Sequence, residues 1–164
     1  MAEVSDAELL AGAVQESLEH LQPWMPWATP EAAQVETQRA RRLEAVQAAE
    51  EGREYSYLLV REDGELCGVL GLHRRIGPDA IEIGYWLRPG HTGRGLLTKA
   101  AGALTAAALE LPDVNSVQIR CDEANVRSAA VPRRLGYRLD RIEDDGVQAP
   151  AEVGRGMVWV FPPD

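Results

Sequence analysis

The sequence has only two cysteines, no long apolar run and no excess of basic residues. Cys67 and Cys121 are too few for the disulfide framework of a small secreted domain, and both lie in strand-like runs. We interpret them as reduced core residues of a cytoplasmic protein. No apolar run approaches the length of a membrane span, and the first residues lack the basic and apolar segments of a signal peptide. We therefore expect no membrane partner.

Basic charge is scarce relative to acidic charge. The chain has 26 acidic and 17 basic residues, which gives a net charge of −9 at pH 7. Nucleic-acid binding needs clustered basic residues, so this balance argues against nucleic acid as a partner. An acidic field attracts cationic small molecules or basic peptides, but solubility alone explains the charge equally well. The three histidines are scattered, and no group of Cys, His and carboxylate residues has metal-ligand spacing, so we expect no metal site.

Periodicity along the chain predicts a single domain, residues 1–164, with elements in the order ααβββαβαββ. Ser5 and Glu8 form a capping-box pattern at the start of the first helix, and Thr29 followed by Pro30 predicts the start of the second. The later helices fall between strands of one sheet. This order predicts an α/β (α+β) fold with a mixed sheet.

The stretch "RPGHTGRGLLT" at 88–98 separates a predicted strand from a predicted helix. Its glycines would let the backbone N–H groups at the helix start close on an anion. A tight strand-to-helix turn is the alternative. The stretch lacks the Gly-Lys-Ser/Thr of a Walker A loop and the third glycine of the dinucleotide fingerprint. We therefore predict a phosphate cradle of another kind.

Two segments together resemble the acetyl-CoA-binding core of the GNAT N-acetyltransferases. The first is "IEIGYWLRPGHTGRGLLTKAAGAL", in which Gly93-Arg94-Gly95 matches the G-x-G/A of the family's loop. The second, "NVRSAAVPRRLGY", follows about thirty residues later and resembles the family's second signature. "EIGYWL" and "HLQPWMPW" further resemble the ribosomal-protein (Rim-type) branch. The resemblance covers roughly residues 18–161.

The resemblance implies a single GNAT-type domain whose mixed sheet is splayed and flanked by helices. Pantetheine would lie between the strands at 80–87 and 116–121, where Gly84 suits a bulge that opens the gap, although an isolated glycine in a strand need not form a bulge. Asn125 would be both a helix N-cap and a cofactor contact. The loop N–H groups would hold the pyrophosphate, and strand backbone would pair with the pantetheine amides. The residues implied are Thr92, Gly93, Arg94, Gly95, Leu96 and Leu97 for the first role, and Trp86, Leu87 and Arg88 for the second.

Two departures from the family pattern concern the loop and the first strand. The first loop position, usually Gln or Arg, is Gly90, which removes one side-chain contact but leaves the backbone cradle. The family's opening strand is reduced here to "MAEV", which supplies at most a stub.

The second signature bears on the leaving thiolate, which must be protonated or hydrogen-bonded. Many family members use a tyrosine acid here, but alignment on Asn125 and Gly136 puts Pro132 at that place. Ser128 is the remaining hydroxyl, and we hypothesise that it hydrogen-bonds or protonates the departing sulfur. Pro132 also lacks the N–H that would bond to the Ser128 carbonyl. The alternative is that Ser128 only bonds to its own helical turn.

Glu82 is the candidate base for the acceptor amine. It shares a strand face with Gly84 and Trp86, and a carboxylate in an otherwise apolar strand usually meets a cavity or a partner. A structural or substrate-positioning role is the alternative. By resemblance, Trp24, Met25 and Trp27 wall the acceptor pocket together with Glu82, although core packing is the usual role of aromatic residues.

The sequence thus predicts an acetyl-CoA-dependent N-acetyltransferase of Rim type. Direct attack by the bound amine is expected, since neither cysteine lies in a signature. The acceptor is a protein N-terminal α-amine or a small amine such as a polyamine or antibiotic. A non-catalytic acyl-CoA-binding module is the alternative that Pro132 supports. The family often forms homodimers, which leaves a homodimer to be tested.

Overall fold

Four helices and six strands follow one another in the predicted order within residues 1–162, which a computed structural model describes. The helices are α1 (Ala7–Leu21), α2 (Val35–Glu50), α3 (Leu96–Leu109) and α4 (Val126–Leu135). The strands are β1 (Glu54–Val60), β2 (Leu66–His73), β3 (Ala80–Leu87), β4 (Ser116–Asp122), β5 (Arg138–Asp144) and β6 (Arg155–Phe161). No helix in this part of the chain is both long enough and apolar enough to cross a bilayer.

The strands form one mixed sheet in the order β1-β2-β3-β4-β6-β5. Every neighbouring pair is antiparallel except β3 and β4, which are parallel. That parallel pairing covers only Ala80 to Glu82 on β3, so the two strands separate beyond Glu82. The implied splayed sheet is confirmed. One further backbone bond, from Ala2 N–H to Ser56 O (2.8 Å), attaches the chain's first residues to β1 as a stub.

Side chains of the sheet alternate between two helical layers. Ile83 and its neighbours of the same parity pack with residues of α3 and α4, and Ile83 is almost fully buried. The opposite face meets α1, where Leu10 and Val14 pack towards Val69 and Trp86. Because side chains alternate along a strand, each residue of β3 is committed to one layer. The gap between β3 and β4 therefore connects the two faces.

The two N-terminal helices begin differently from the prediction. Glu3, not Ser5, forms the capping box, and its N–H donates to the Asp6 carboxylate at 2.7 Å. Thr29 does cap a helical turn, because its hydroxyl accepts the N–H of Ala32 (3.2 Å). That turn is a short 3-10 segment, and α2 begins only at Val35 after one extended residue. Thr29 therefore caps this short 3-10 turn and not the long helix that the sequence predicted to start there.

Gly84 lies in a regular ladder, which corrects the expected bulge. β2 and β3 pair without a register shift, and Gly84 stands opposite Gly71. The gap opens because β4 stops pairing with β3, and not because β3 itself is irregular.

Candidate active site

The loop before α3 has the backbone conformation that its glycines predict. Gly93 and Gly95 have φ angles of +74° and +71°, in the left-handed region that other residues rarely adopt. Gly95 is the N-cap of α3, and its carbonyl accepts the N–H of Lys99 at 3.1 Å. A Cβ at Gly90, Gly93 or Gly95 would meet nothing within 4 Å. The loop therefore presents bare backbone to open space.

Unpaired N–H groups surround that open space. Across the described residues, no protein acceptor takes the N–H groups from Gly93 to Leu97. These donors, at the positive end of α3, suit an anion. Thr92 is the exception to the predicted set, because its N–H and hydroxyl both approach the Pro89 carbonyl, at 3.4 and 3.1 Å. The Thr92 N–H is therefore directed to the loop itself, and the anion cradle of residues 92–97 stays a prediction.

The backbone that faces the gap differs in part from the prediction. Arg88 N–H donates to Cys67 O at 2.8 Å, so its donor is already used within the sheet. Trp86 lies on β3, two residues before Arg88 and opposite Val69 on β2. Because the bonding direction alternates along an antiparallel pair, the Trp86 backbone also bonds towards β2. Leu87 has the opposite parity and directs its backbone towards the gap. Of the three residues predicted to pair with pantetheine, Leu87 is the one whose backbone faces the gap, and all three contacts stay predictions.

A cavity of about 620 Å³ extends from the α1–α2 face of the sheet to the gap. It brings together all five predicted catalytic and acceptor-side residues and the predicted cofactor contact Asn125: Trp24, Met25, Trp27, Glu82, Ser128 and Asn125. These residues come from the loop after α1, from β3 and from the start of α4. The sequence therefore predicted which segments meet.

The loop that carries Trp24, Met25 and Trp27, here called the tryptophan loop, both lines the cavity and packs into the core. The ring centroids of Trp27 and Trp86 lie 6.0 Å apart, and the Arg41 guanidinium sits 5.7 Å from the Trp27 ring. Trp27 and Trp86 also pack on Val14, so the two readings of these aromatics, pocket and core, both apply. Because both indole rings are packed in this way, they give the cavity a fixed apolar wall.

Glu82 is buried and held by an arginine that sequence reasoning did not single out. Arg75 Nε lies 3.0 Å from Glu82 Oε2 and its terminal nitrogen lies 2.6 Å from Oε1. The hydrogen bond to Glu82 raises the pKa of Arg75. Both carboxylate oxygens are thus engaged, an arrangement that fixes the charge in place.

His73 lies beside Glu82 on the next strand and was also missed. Its Nδ1 lies 3.2 Å from Glu54 Oε2, and the hydrogen bond with His73 lowers the pKa of Glu54. A Cβ at Gly71 or Gly84 would lie 2.6 or 3.1 Å from His73 Nε2. The imidazole therefore lies across these two glycines, in the cavity and next to the opening of the gap.

The start of α4 positions Ser128. Its N–H donates to Asn125 Oδ1 at 3.1 Å, as the predicted N-cap requires. Pro132 leaves the Ser128 carbonyl without its helical donor, and Tyr85 Oη supplies one at 3.2 Å. The same phenol lies 3.2 Å from Ser128 Oγ. Burial raises the pKa of Tyr85 well above its ordinary value. Tyr85 is thus a hydrogen-bond partner of Ser128 that the sequence did not predict.

The far side of the cavity is formed by the loop between β5 and β6. Asp122 Oδ2 accepts the N–H groups of Val153, Gly154 and Arg155 at 3.0–3.2 Å, and its Oδ1 accepts that of Ala124 at 2.8 Å. Burial raises the pKa of Asp122, but these four donors outweigh it and keep the pKa below its usual value.

This β5–β6 loop also meets the tryptophan loop. Ala151 N–H donates to Pro23 O at 2.9 Å, just before Trp24. The cavity is therefore bordered by two loops that are tied to each other through their backbones.

Comparison with known families gives one match to most of the chain. The family model described as "Acetyltransferase (GNAT) domain" matches residues 2–138. Those residues include the glycine loop, Glu82 and Ser128.

Comparison with individual proteins gives relatives of similar description. The Bacillus subtilis (strain 168) protein named "Putative ribosomal N-acetyltransferase YdaF" is 30% identical over 155 residues, which is 90% of this chain and 80% of that protein. The Escherichia coli (strain K12) ribosomal-protein-serine acetyltransferase is 34% identical over 86 residues, 51% of this chain and 47% of that protein. Among solved structures, a ribosomal L7/L12 alpha-N-protein acetyltransferase in complex with coenzyme A has a TM-score of 0.87 at 24% identity. The match covers 97% of this chain and 89% of that one.

Proposed function

The chain belongs to the acetyltransferase (GNAT) domain family, and from that premise we propose that its acceptor is the N-terminal α-amine of a ribosomal protein. It is an acetyl-CoA-dependent N-acetyltransferase. The printed names of the relatives and of the structural neighbour support the acceptor class. The observation that carries the proposal is the cavity, which joins the gap between β3 and β4 to the face walled by the tryptophan loop.

The residues around the gap fit acetyl-CoA, which supplies an activated acetyl thioester. The free N–H groups of 93–97 would hold the pyrophosphate, since no side chain blocks the approach there. The gap-facing backbone of Leu87 would pair with pantetheine as an added strand does. Asn125 lines the same cavity, and its position there is fixed by the N-cap hydrogen bond at the start of α4.

The acceptor side holds a carboxylate that can accept a hydrogen bond from an amine. Glu82 lies in a cavity with aromatic walls, and the Arg75 guanidinium balances its charge. Glu82 remains a predicted base, but both of its oxygens accept bonds from Arg75. This geometry favours the alternative role, in which Glu82 positions the amine.

Direct transfer from donor to amine is favoured over a cysteine-linked intermediate. Cys121 lines the cavity and is a free thiol. Burial raises its pKa to about 11. The thiolate is the nucleophilic form, so such a thiol attacks poorly at neutral pH.

The proposed function is tested by thiol release from acetyl-CoA with a panel of amines. The panel comprises peptides that copy ribosomal-protein N-termini, the same peptides with blocked α-amines, a polyamine and an aminoglycoside. We expect release with the free peptides alone, with the acetyl group located on the α-amine by mass spectrometry. Acetylation of the small amines alone would overturn the acceptor assignment, and CoA binding without turnover would favour a non-catalytic module.

Ser128→Ala provides the internal check on the proposed role of Ser128. We expect this variant to lose most of kcat while the KM for acetyl-CoA changes little, because the hydroxyl acts on the leaving sulfur. An unchanged kcat would remove Ser128 from the mechanism.

We also assign the enzyme to the cytoplasm and to a homodimer. The names of the relatives support the first, since they refer to ribosomal proteins. For the second, β5 ends the sheet and its outer edge pairs with no other strand within residues 1–162. Light scattering at several protein concentrations would decide between monomer and dimer.

A further inference from the structure

Tyr85 bonds to a backbone carbonyl of α4 that has no backbone donor. In a regular helix, the N–H of residue 132 would bond to the Ser128 carbonyl, but Pro132 has no N–H. Tyr85 Oη fills that vacancy at 3.2 Å from the carbonyl and, in the same position, lies 3.2 Å from Ser128 Oγ. Pro132 therefore brings a phenol from β3 to the hydroxyl of α4.

We propose that Tyr85 positions the Ser128 hydroxyl for the leaving sulfur, an inference that rests on the proposed function. The Tyr85 phenol has one proton, and the Ser128 carbonyl and Oγ both lie 3.2 Å from its oxygen. In the proposed arrangement the two oxygens share this proton, so that the phenol acts as donor to Oγ. The hydroxyl proton of Ser128 is then available for a second hydrogen bond. Ser128 lines the cavity, so the acceptor of that bond can be a group bound there. The Ser128 hydroxyl donates a hydrogen bond to the CoA sulfur as the acetyl–sulfur bond breaks, and its proton stays on Oγ.

The proposed step balances without any proton leaving Tyr85. The bond from acetyl carbon to the amine nitrogen forms, and the electron pair of the carbon–sulfur bond goes to sulfur. The proton lost by the amine passes to solvent on the acceptor side of the sheet, and the released thiolate later takes a proton from solvent. Because burial raises the pKa of Tyr85, the phenol stays neutral and donates throughout the working pH range. The two hydroxyls thus stabilise the developing negative charge by hydrogen bonding.

The first test is Tyr85→Phe with Tyr137→Phe as its matched control. Tyr137 is also a buried tyrosine, and its phenol bonds to Thr105 at 2.6 Å in the core. We expect Tyr85→Phe to lower kcat about tenfold to a hundredfold with little change in the KM for acetyl-CoA. Tyr137→Phe should leave kcat near the wild-type value. A Tyr85→Phe variant that is folded and keeps kcat within about twofold would overturn the proposal.

The second test separates positioning of the hydroxyl from simple support of the helix. In Pro132→Ala, the new N–H can bond to the Ser128 carbonyl, so the phenol has only Ser128 Oγ left to bond. We expect Pro132→Ala to keep kcat, and the double variant Tyr85→Phe/Pro132→Ala to stay as slow as Tyr85→Phe. Recovery of kcat in the double variant would show that Tyr85 serves only the carbonyl, and would overturn the proposal.

The third test measures binding and needs no acceptor. Calorimetry compares CoA with desulfo-CoA, which lacks the sulfur, on wild type, Tyr85→Phe and Tyr137→Phe. We expect wild type to favour CoA by severalfold, with the preference rising with pH as the thiol ionises, and Tyr85→Phe to lose this preference. Equal preference in wild type and Tyr85→Phe would overturn the proposal. An enzyme that fails on every acceptor but shows the expected binding would instead refute only the proposed acceptor.

Discussion

At the residue scale, Gly71 shows how a missing side chain makes room for a functional one. A Cβ there would lie 2.6 Å from His73 Nε2, closer than real Cβ atoms approach another atom. We expect Gly71→Ala to move the imidazole into the cavity and raise the KM for the acceptor about tenfold, while CoA affinity stays unchanged. Steady-state kinetics with each substrate varied, together with CoA calorimetry, would check this.

Gly12 is the matched control for that substitution. It lies inside α1, and a Cβ there would meet nothing within 4 Å. Alanine is a better helix former than glycine, so Gly12→Ala should stabilise the fold by about 0.5–1 kcal/mol in urea denaturation and leave the kinetics unchanged. An unchanged acceptor KM in Gly71→Ala would show that the imidazole has room to move.

Glu82 poses a sharper question at the same scale, since it was predicted as a base and lies in an ion pair. We expect Glu82→Gln to raise the acceptor KM at least tenfold, because Arg75 then faces the cavity without its counter-charge. If Glu82 only positions the amine, the pH profile of kcat/KM should have the same shape in Glu82→Gln as in the wild type. Loss of the acid-side limb in Glu82→Gln would instead restore its role as the base. Glu123→Gln, which breaks an exposed ion pair with Arg155, is the control.

At the scale of elements, the loop before α3 depends on two left-handed residues. Alanine at Gly95 would take a conformation that costs about 1–2 kcal/mol, whereas Gly90 has no such angle. We expect Gly95→Ala to lower the melting temperature and weaken CoA binding, and Gly90→Ala to do neither. Thermal denaturation and calorimetry on both variants would check this. Equal effects would mean that the loop tolerates strain or that the cradle lies elsewhere.

The loop between β5 and β6 is fastened to β4 through one carboxylate. Because the pKa of Asp122 is lower in the folded state, its stabilisation is fully present above the unfolded pKa of about 3.9. It is lost as the pH falls through the folded value. We expect Asp122→Asn to cost about 2–3 kcal/mol at pH 7, and the difference from wild type to shrink as the pH falls below 4.

Urea denaturation at neutral and acidic pH would measure that difference. Asp113→Asn is the control, because Asp113 is exposed and forms a surface ion pair with Arg74, so its loss should change stability little at either pH. A difference between wild type and Asp122→Asn that is constant with pH would contradict the linkage.

The order of elements was predictable because it depends on local signals, whereas the contacts of the site were not. The glycine loop before α3 and the Asn125 cap act within about one turn of chain, and both were predicted from the sequence. Tyr85 meets Ser128 from 43 residues away, and His73 meets Glu54 across two strands. Such pairs follow from register, which no local pattern fixes. The same reason explains why the sequence could not show that the Trp86 and Arg88 backbone bonds towards β2.

At the scale of the whole molecule, the net charge of −9 acts on both substrates in opposite directions. It attracts a cationic acceptor from beyond contact distance and repels the anionic donor, and salt screens both effects over a Debye length of about 10 Å at 0.1 M. We therefore expect kcat/KM for a lysine-rich acceptor peptide to fall severalfold between about 0.02 and 0.3 M salt, at saturating acetyl-CoA. A peptide with the same first residues and no lysines should change less than about twofold. Equal salt dependence for the two peptides would show that the acidic surface serves solubility alone and does not steer the acceptor.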